Sequence, residues 1–217
     1  MIFWICFAIA FLPLTIFLPI KVKGKKNLPK KQGFVLTCNH YSNFDAPMID
    51  LKLGRKIRFL AKKELFKNKL LGFFIRQFGG YPIDRGATDV KAFKFALQSL
   101  KDKHILGIFP EGTRNKTGSE EMQELKSGAV VFASKAGVPI VPMVLVKPIK
   151  FLRRTTLIIG EPFMCVGENP NRLTKEEIEK NVELLAEKTN ALREEYNKKL
   201  EEKRNRKKSR NKDNTSK

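Results

Sequence analysis

Scarcity marks this chain first: its 217 residues include two histidines and three cysteines. Cys6, Cys38 and Cys165 are odd in number, far apart and without metal-ligand spacing. They indicate neither a disulfide framework nor a zinc site, and buried thiols in a reducing compartment are expected. Negative charge is short as well, since 22 acidic residues face 43 lysines and arginines and leave a formal net charge of +21, which requires an anionic partner. The chain has no internal repeat, and no helix-turn-helix or RNA-stacking motif directs that charge to nucleic acid. Even without disulfides or a structural metal, a chain of this length buries a full core as one domain, by default of the α/β class.

Charge is absent altogether from the first twenty positions, "MIFWICFAIAFLPLTIFLPI". As one helix they would span about 30 Å, the hydrocarbon thickness of a bilayer, so residues 1–20 are expected to be a membrane-anchoring segment. Pro13 and Pro19 make a kinked helix or a short re-entrant pair an equal alternative to a full span. A cleaved signal peptide is disfavoured because a positive n-region and a small-residue cleavage site are missing. The basic flank at Lys21, Lys23, Lys25, Lys26, Lys30 and Lys31 implies contact with anionic membrane lipids and a following domain on the cytoplasmic side.

From residue 34 the chain alternates between short apolar runs and helical spacing. Strands are predicted at 34–38, 57–61, 80–84, 104–109, 138–146 and 155–163, with helices at 46–53, 70–78, 89–103 and 126–137 between them. The expected fold is α/β, a mixed, largely parallel sheet flanked by helices, with the N-terminal apolar segment added. Residues 21–172 form the main domain and 173–202 an amphipathic helix with Ile178, Leu184, Leu185, Leu192 and Tyr196 on one side. Residues 203–217, "KRNRKKSRNKDNTSK", have no apolar residue and read as a disordered basic tail. The stretch "LLGFFIRQF" suits either a core or a surface resting on membrane.

One of the two histidines stands in "VLTCNHYSNFDAPM", five positions before Asp45. Two plain readings fit that stretch alone: His40 as a satisfied loop histidine, and Asp45 as a helix cap two residues before Pro47. Other segments at strand ends carry polar residues into the same region, namely "GGYPIDRG", with Arg85, and "FPEGTRN", with Glu111, Gly112, Thr113 and Arg114. In open α/β sheets, ligands bind in the crevice beyond the carboxyl ends of the strands. Glycine at 112 allows close backbone approach, and the forks of Arg85 and Arg114 suit a phosphate monoester. His104, beside Lys103 at a strand entrance, is assigned to structure or surface.

Four ordered blocks, "NHYSNFD" (39–45), "GGYPIDRG" (79–86), "FPEGTRN" (109–115) and "VPIVP" (138–142), resemble those of the 1-acylglycerol-3-phosphate acyltransferase family. The resemblance runs from roughly the apolar segment to Glu161. It implies that His40 and Asp45 are the catalytic pair, and it assigns acceptor and phosphate binding to Arg85, Glu111, Gly112, Thr113 and Arg114. Asn39, next to the histidine, is grouped with these substrate-binding positions. The implied reaction moves a fatty acyl group from a thioester of coenzyme A or acyl carrier protein to the 2-hydroxyl of lysophosphatidic acid, with no metal and no further cofactor. The hydroxyl is a poor nucleophile until a histidine accepts its proton, and an aspartate would hold the histidine tautomer and stabilise the imidazolium. A Cys38-His40 acyl-enzyme is a competing mechanism, because the two share a face if the strand continues. Glycerol 3-phosphate or another lysolipid is an alternative acceptor. A membrane-tethered basic binding module is the alternative outside enzymology, and it leaves the His-Asp pair and "FPEGTR" unexplained.

Overall fold

The computed structural model describes residues 14–84, 89–115 and 123–215, with the backbone alone for residues 207, 208 and 210–215. Seven strands form one sheet: β1 Ile20–Lys23, β2 Phe34–Cys38, β3 Ile57–Lys62, β4 Gly80–Ile83, β5 Ile105–Ile108, β6 Ile140–Leu145 and β7 Thr155–Ile159. Their order across the sheet is β1-β7-β6-β2-β5-β3-β4. Five α-helices follow β2 among the described residues: α1 Asp45–Leu53, α2 Lys69–Gln77, α3 Val90–Lys101, α4 Gly128–Ala136 and α5 Lys175–Thr215.

Each of α1 to α4 is the crossover between two strands that run the same way, and this accounts for the parallel sheet. Only β6 and β7 are antiparallel neighbours. They are joined by residues 146–154, which are too few for a crossover helix.

The central strand β2 lies between β5 and β6, and all five of its residues are buried. Phe34, Leu36 and Cys38 share one apolar layer with Met48, Ile49 and Leu53 of α1. Val35 faces the opposite layer, where Ala96 and Leu100 of α3, Ala129 and Val130 of α4 and Leu185 of α5 meet. That is the two-residue period of a strand covered on both faces. At Gly107 in β5 a Cβ would come within 2.2 Å of the Phe59 ring, so the missing side chain makes room for Phe59.

The sheet and its flanking helices have the expected α/β form, but the expected membrane-anchoring segment is corrected. Among the described residues no helix is long and apolar enough to cross a membrane. Residues 1–13 of that segment lie outside the described residues, and its remainder belongs to the domain. Leu14 and Leu18 pack on the core of the α1 layer, Phe17 stacks on Phe151 with ring centroids 5.3 Å apart, and Ile20 opens β1 opposite Thr155. An apolar run that ends in lysines has the same text whether it enters a bilayer or a sheet edge. Here Ile20 is buried and Lys21 is exposed, the alternation of an edge strand. A second departure is at the C-terminus, where α5 continues to Thr215 through residues read as a disordered tail. Lys, Arg and Glu are good helix formers, and Glu195 pairs with Lys199 one turn on.

Candidate active site

The carboxyl end of β2 is the meeting point. Two residues beyond it, His40 Nδ1 lies 3.0 Å from Asp45 Oδ2 at the start of α1. The same Oδ2 accepts from the Tyr41 N–H at 2.6 Å and the Ser42 N–H at 2.7 Å, while Oδ1 accepts from Ser42 Oγ at 3.0 Å. Asp45 is fully buried, whereas the His40 side chain keeps 18% of its surface exposed. A carboxylate oxygen only accepts, so the imidazole proton sits on Nδ1 and Nε2 is left as the free base. The His40 ring stacks on Phe109, with centroids 4.0 Å apart, and this packing holds its plane.

The backbone of His40 is held from the β5 side. Its N–H donates to Glu111 Oε1 at 2.9 Å, and its carbonyl accepts from the Asn115 N–H at 2.7 Å. Glu111 Oε2 accepts from the Gln123 N–H at 3.3 Å. Burial pushes the Glu111 carboxyl above its ordinary range, and these backbone donors, with His40 and Arg193 nearby, pull the other way. The turn that brings Glu111 here needs the left-handed backbone of Gly112, at φ 70, whose N–H donates to the Phe109 carbonyl.

The other sequence-derived site residues divide. Asn39 is 2% exposed, and both ends of its amide are taken by β6: Nδ2 donates to the Leu145 carbonyl at 2.9 Å, and Oδ1 accepts from the Leu145 N–H at 2.7 Å. In this structure it fastens β2 to β6. Thr113 and Arg114 are exposed in the turn between Glu111 and Asn115, which both bond the His40 backbone, and Thr113 Oγ1 donates to Gln123 Oε1 at 3.1 Å. Arg85 lies outside the described residues. Its neighbour Asp84 pairs with Lys63. His104 is exposed.

Cys38 is buried with its Sγ toward Asn39 Oδ1. Burial, with the Asp45 charge adding to it, pushes its thiol far above the ordinary cysteine range, the opposite of what a thiolate nucleophile needs. Sequence reasoning passed over Ser42 and Phe109, both inside the motif blocks, and Arg193, which α5 carries to within electrostatic reach of Tyr41, Glu111 and Cys38. Nothing in the local sequence separates Arg193 from the other charged residues of that helix.

A buried aspartate orienting a partly exposed histidine at the end of a central parallel strand is an arrangement that can act as a general base. Residues 19–146 match the acyltransferase family. The 1-acyl-sn-glycerol-3-phosphate acyltransferase of Bacillus subtilis is 39% identical over 151 residues, 66% of this chain and 73% of that protein. The enzyme of the same name from Saccharomyces cerevisiae is 34% identical over 131 residues, 59% of this chain and 43% of that protein. The crystal structure of the 1-acyl-sn-glycerophosphate (LPA) acyltransferase PlsC from Thermotoga maritima superimposes with a TM-score of 0.59 at 28% identity, covering 81% of this chain and 71% of that one. The chain belongs to the 1-acyl-sn-glycerol-3-phosphate acyltransferase family.

Proposed function

We propose that the chain transfers a fatty acyl group from a thioester to the 2-hydroxyl of 1-acylglycerol 3-phosphate, giving phosphatidic acid. The observation that carries this reading is the His40-Asp45 pair, with the acid buried and the base partly exposed at the carboxyl end of β2. His40 Nε2 takes the proton of the acceptor hydroxyl as its oxygen attacks the thioester carbonyl. The tetrahedral intermediate then collapses, the carbon–sulfur bond breaks, and the departing thiolate takes the proton back from His40. Asp45 stabilises the imidazolium between the two steps. Glu111 and Asn115 fix the loop that carries His40. Arg114, exposed at the rim, and Arg85 take the phosphate of the acceptor.

The acceptor is a lipid, so the site works against a membrane. Helix α2 supports this, because it packs through Gly72, its one buried residue, and leaves Leu70, Leu71, Phe73 and Phe74 exposed beside Lys67 and Lys69. Such a face suits the headgroup and acyl boundary of an anionic leaflet, and the net charge of +21 draws the domain to the cytoplasmic one. The deciding experiment incubates purified full-length protein with lysophosphatidic acid and either the coenzyme A or the acyl carrier protein thioester. Phosphatidic acid is expected with at least one donor. Transfer only to glycerol 3-phosphate or to another lysolipid would overturn the assignment of the acceptor.

A further inference from the structure

Helix α5 lies beyond the residues that match the family, yet it carries Arg193 to within electrostatic reach of Tyr41 and Glu111. Its register is fixed by Leu185, which is fully buried, by Leu192 against Pro142 and Gly160, and by Tyr196, whose hydroxyl lies 3.1 Å from Thr156 Oγ1. Arg193 follows Leu192 directly in the sequence. Its guanidinium lies beside Tyr41 and within electrostatic reach of Glu111 and Cys38. Both terminal nitrogens are buried and make no hydrogen bond of good geometry, and the polar group beside them is the neutral Tyr41 phenol. Glu111, whose oxygens accept from the His40 and Gln123 amides, acts on Arg193 through its charge and not through a hydrogen bond of good geometry.

A buried guanidinium that faces only a neutral phenol is under-satisfied and has its charge unbalanced, so its neighbourhood suits an anion with at least two oxygens. Close to His40, the reaction offers one such anion. In 1-acylglycerol 3-phosphate the phosphate is on the carbon next to the reacting hydroxyl. The phosphates of either thioester donor are separated from the reacting carbonyl by the whole pantetheine arm. We infer that Arg193 is an anchoring contact for the acceptor's phosphate, delivered by the C-terminal helix. This inference rests on the proposed reaction and adds to it a specificity residue that distinguishes a phosphorylated acceptor from a neutral one.

The test compares full-length wild type, Arg193→Ala and Arg193→Lys on lysophosphatidic acid and on 1-monoacylglycerol, which has the same hydroxyl and no phosphate. Loss of a charge-assisted contact should lower kcat/KM for lysophosphatidic acid by about 10- to 100-fold in Arg193→Ala, mostly through KM. The rate on monoacylglycerol and the KM for the thioester should be unchanged, and lysine should restore part of the loss. A purely structural role would depress both acceptors together. That result, or an unaltered preference in a folded Arg193→Ala, would overturn the inference. If Arg193→Ala does not fold, the preference of Arg193→Lys decides in the same way. In parallel, glycerol 3-phosphate should raise the thermal midpoint of wild type, raise that of Arg193→Lys less, and leave that of Arg193→Ala unchanged. If wild type transfers to no phosphate-bearing acceptor, the proposed reaction fails, and this midpoint shift alone decides whether Arg193 holds a phosphate.

Discussion

Glu111 is the residue at which a positioning role and a substrate-binding role predict opposite kinetics. Its Oε1 accepts the His40 N–H at 2.9 Å and its Oε2 the Gln123 N–H at 3.3 Å, and the residue is 3% exposed. Glu111→Ala leaves both amides without that acceptor. A hydrogen bond to a charged group contributes about 1.5–3 kcal/mol, and the longer second bond contributes less. The burial cost of the carboxylate offsets part of this, so a net loss of about 2 kcal/mol is expected, a fall of about 4–8 °C in thermal midpoint for a domain of this size. The loop that carries His40 then loosens, and a misplacement of about 1 Å costs roughly 100-fold in rate. The expected outcome is kcat down by about that factor with the acceptor KM nearly unchanged. Glu111→Gln should lose less stability, because its amide oxygen still accepts one N–H and sheds the charge. The pH dependence carries a sign as well. Burial raises the folded-state pKa, so the native protein holds the Glu111 proton more tightly than the unfolded chain, and stability declines as pH rises through that window. Glu111→Gln should remove that part of the decline. Steady-state kinetics and thermal denaturation of the two variants check all of this. A large rise in acceptor KM with kcat intact would refute the positioning role and return Glu111 to substrate binding.

Asp50, whose Oδ1 accepts the Ile57 N–H at 2.8 Å, is pushed by burial from 3.8 to about 6. Its ionisation therefore weakens the fold as pH rises from 3.8 to about 6, and Asp50→Asn, which keeps the acceptor, should gain on the order of 2 kcal/mol at pH 7 in denaturant titrations. A loss of stability at that pH would contradict the burial argument. Cys38→Ala should keep nearly all activity at a modest packing cost, and a folded but inactive variant would restore the acyl-enzyme route. Phe73→Ser combined with Phe74→Ser should weaken flotation with anionic vesicles while leaving transfer to a detergent-dispersed short-chain acceptor intact. Unchanged flotation would remove α2 from the membrane surface.

Much of the fold was legible because strands and crossover helices carry different apolar periods. "FVLTC" and "IVPMVL" read as strands in any context, and the helices between strands implied parallel pairing. The edge strand β1 was not legible, because Ile20 and Val22 continue an apolar run and only their pairing with Thr155 and Leu157 separates an edge from an anchor. In the site, the His40-Asp45 pair followed from its motif, with Asp45 opening α1. Asn39 and Glu111 read as substrate-binding positions, yet their partners are backbone groups of Leu145, His40 and Gln123, which depend on a sheet register and a turn that sequence spacing does not encode. Arg193 was invisible for a related reason: what sets it apart is not its helix position but the strand end that the helix crosses.

The most direct test of the central claim is the rate of acyl transfer to lysophosphatidic acid by His40→Ala and Asp45→Asn, each with its fold verified by thermal denaturation. General-base catalysis oriented by a buried aspartate predicts a fall in kcat of about 100- to 10,000-fold in both variants. The asparagine variant fails because its amide neither selects the Nδ1–H tautomer nor stabilises imidazolium. A folded His40→Ala that transfers at close to the wild-type rate would contradict the account.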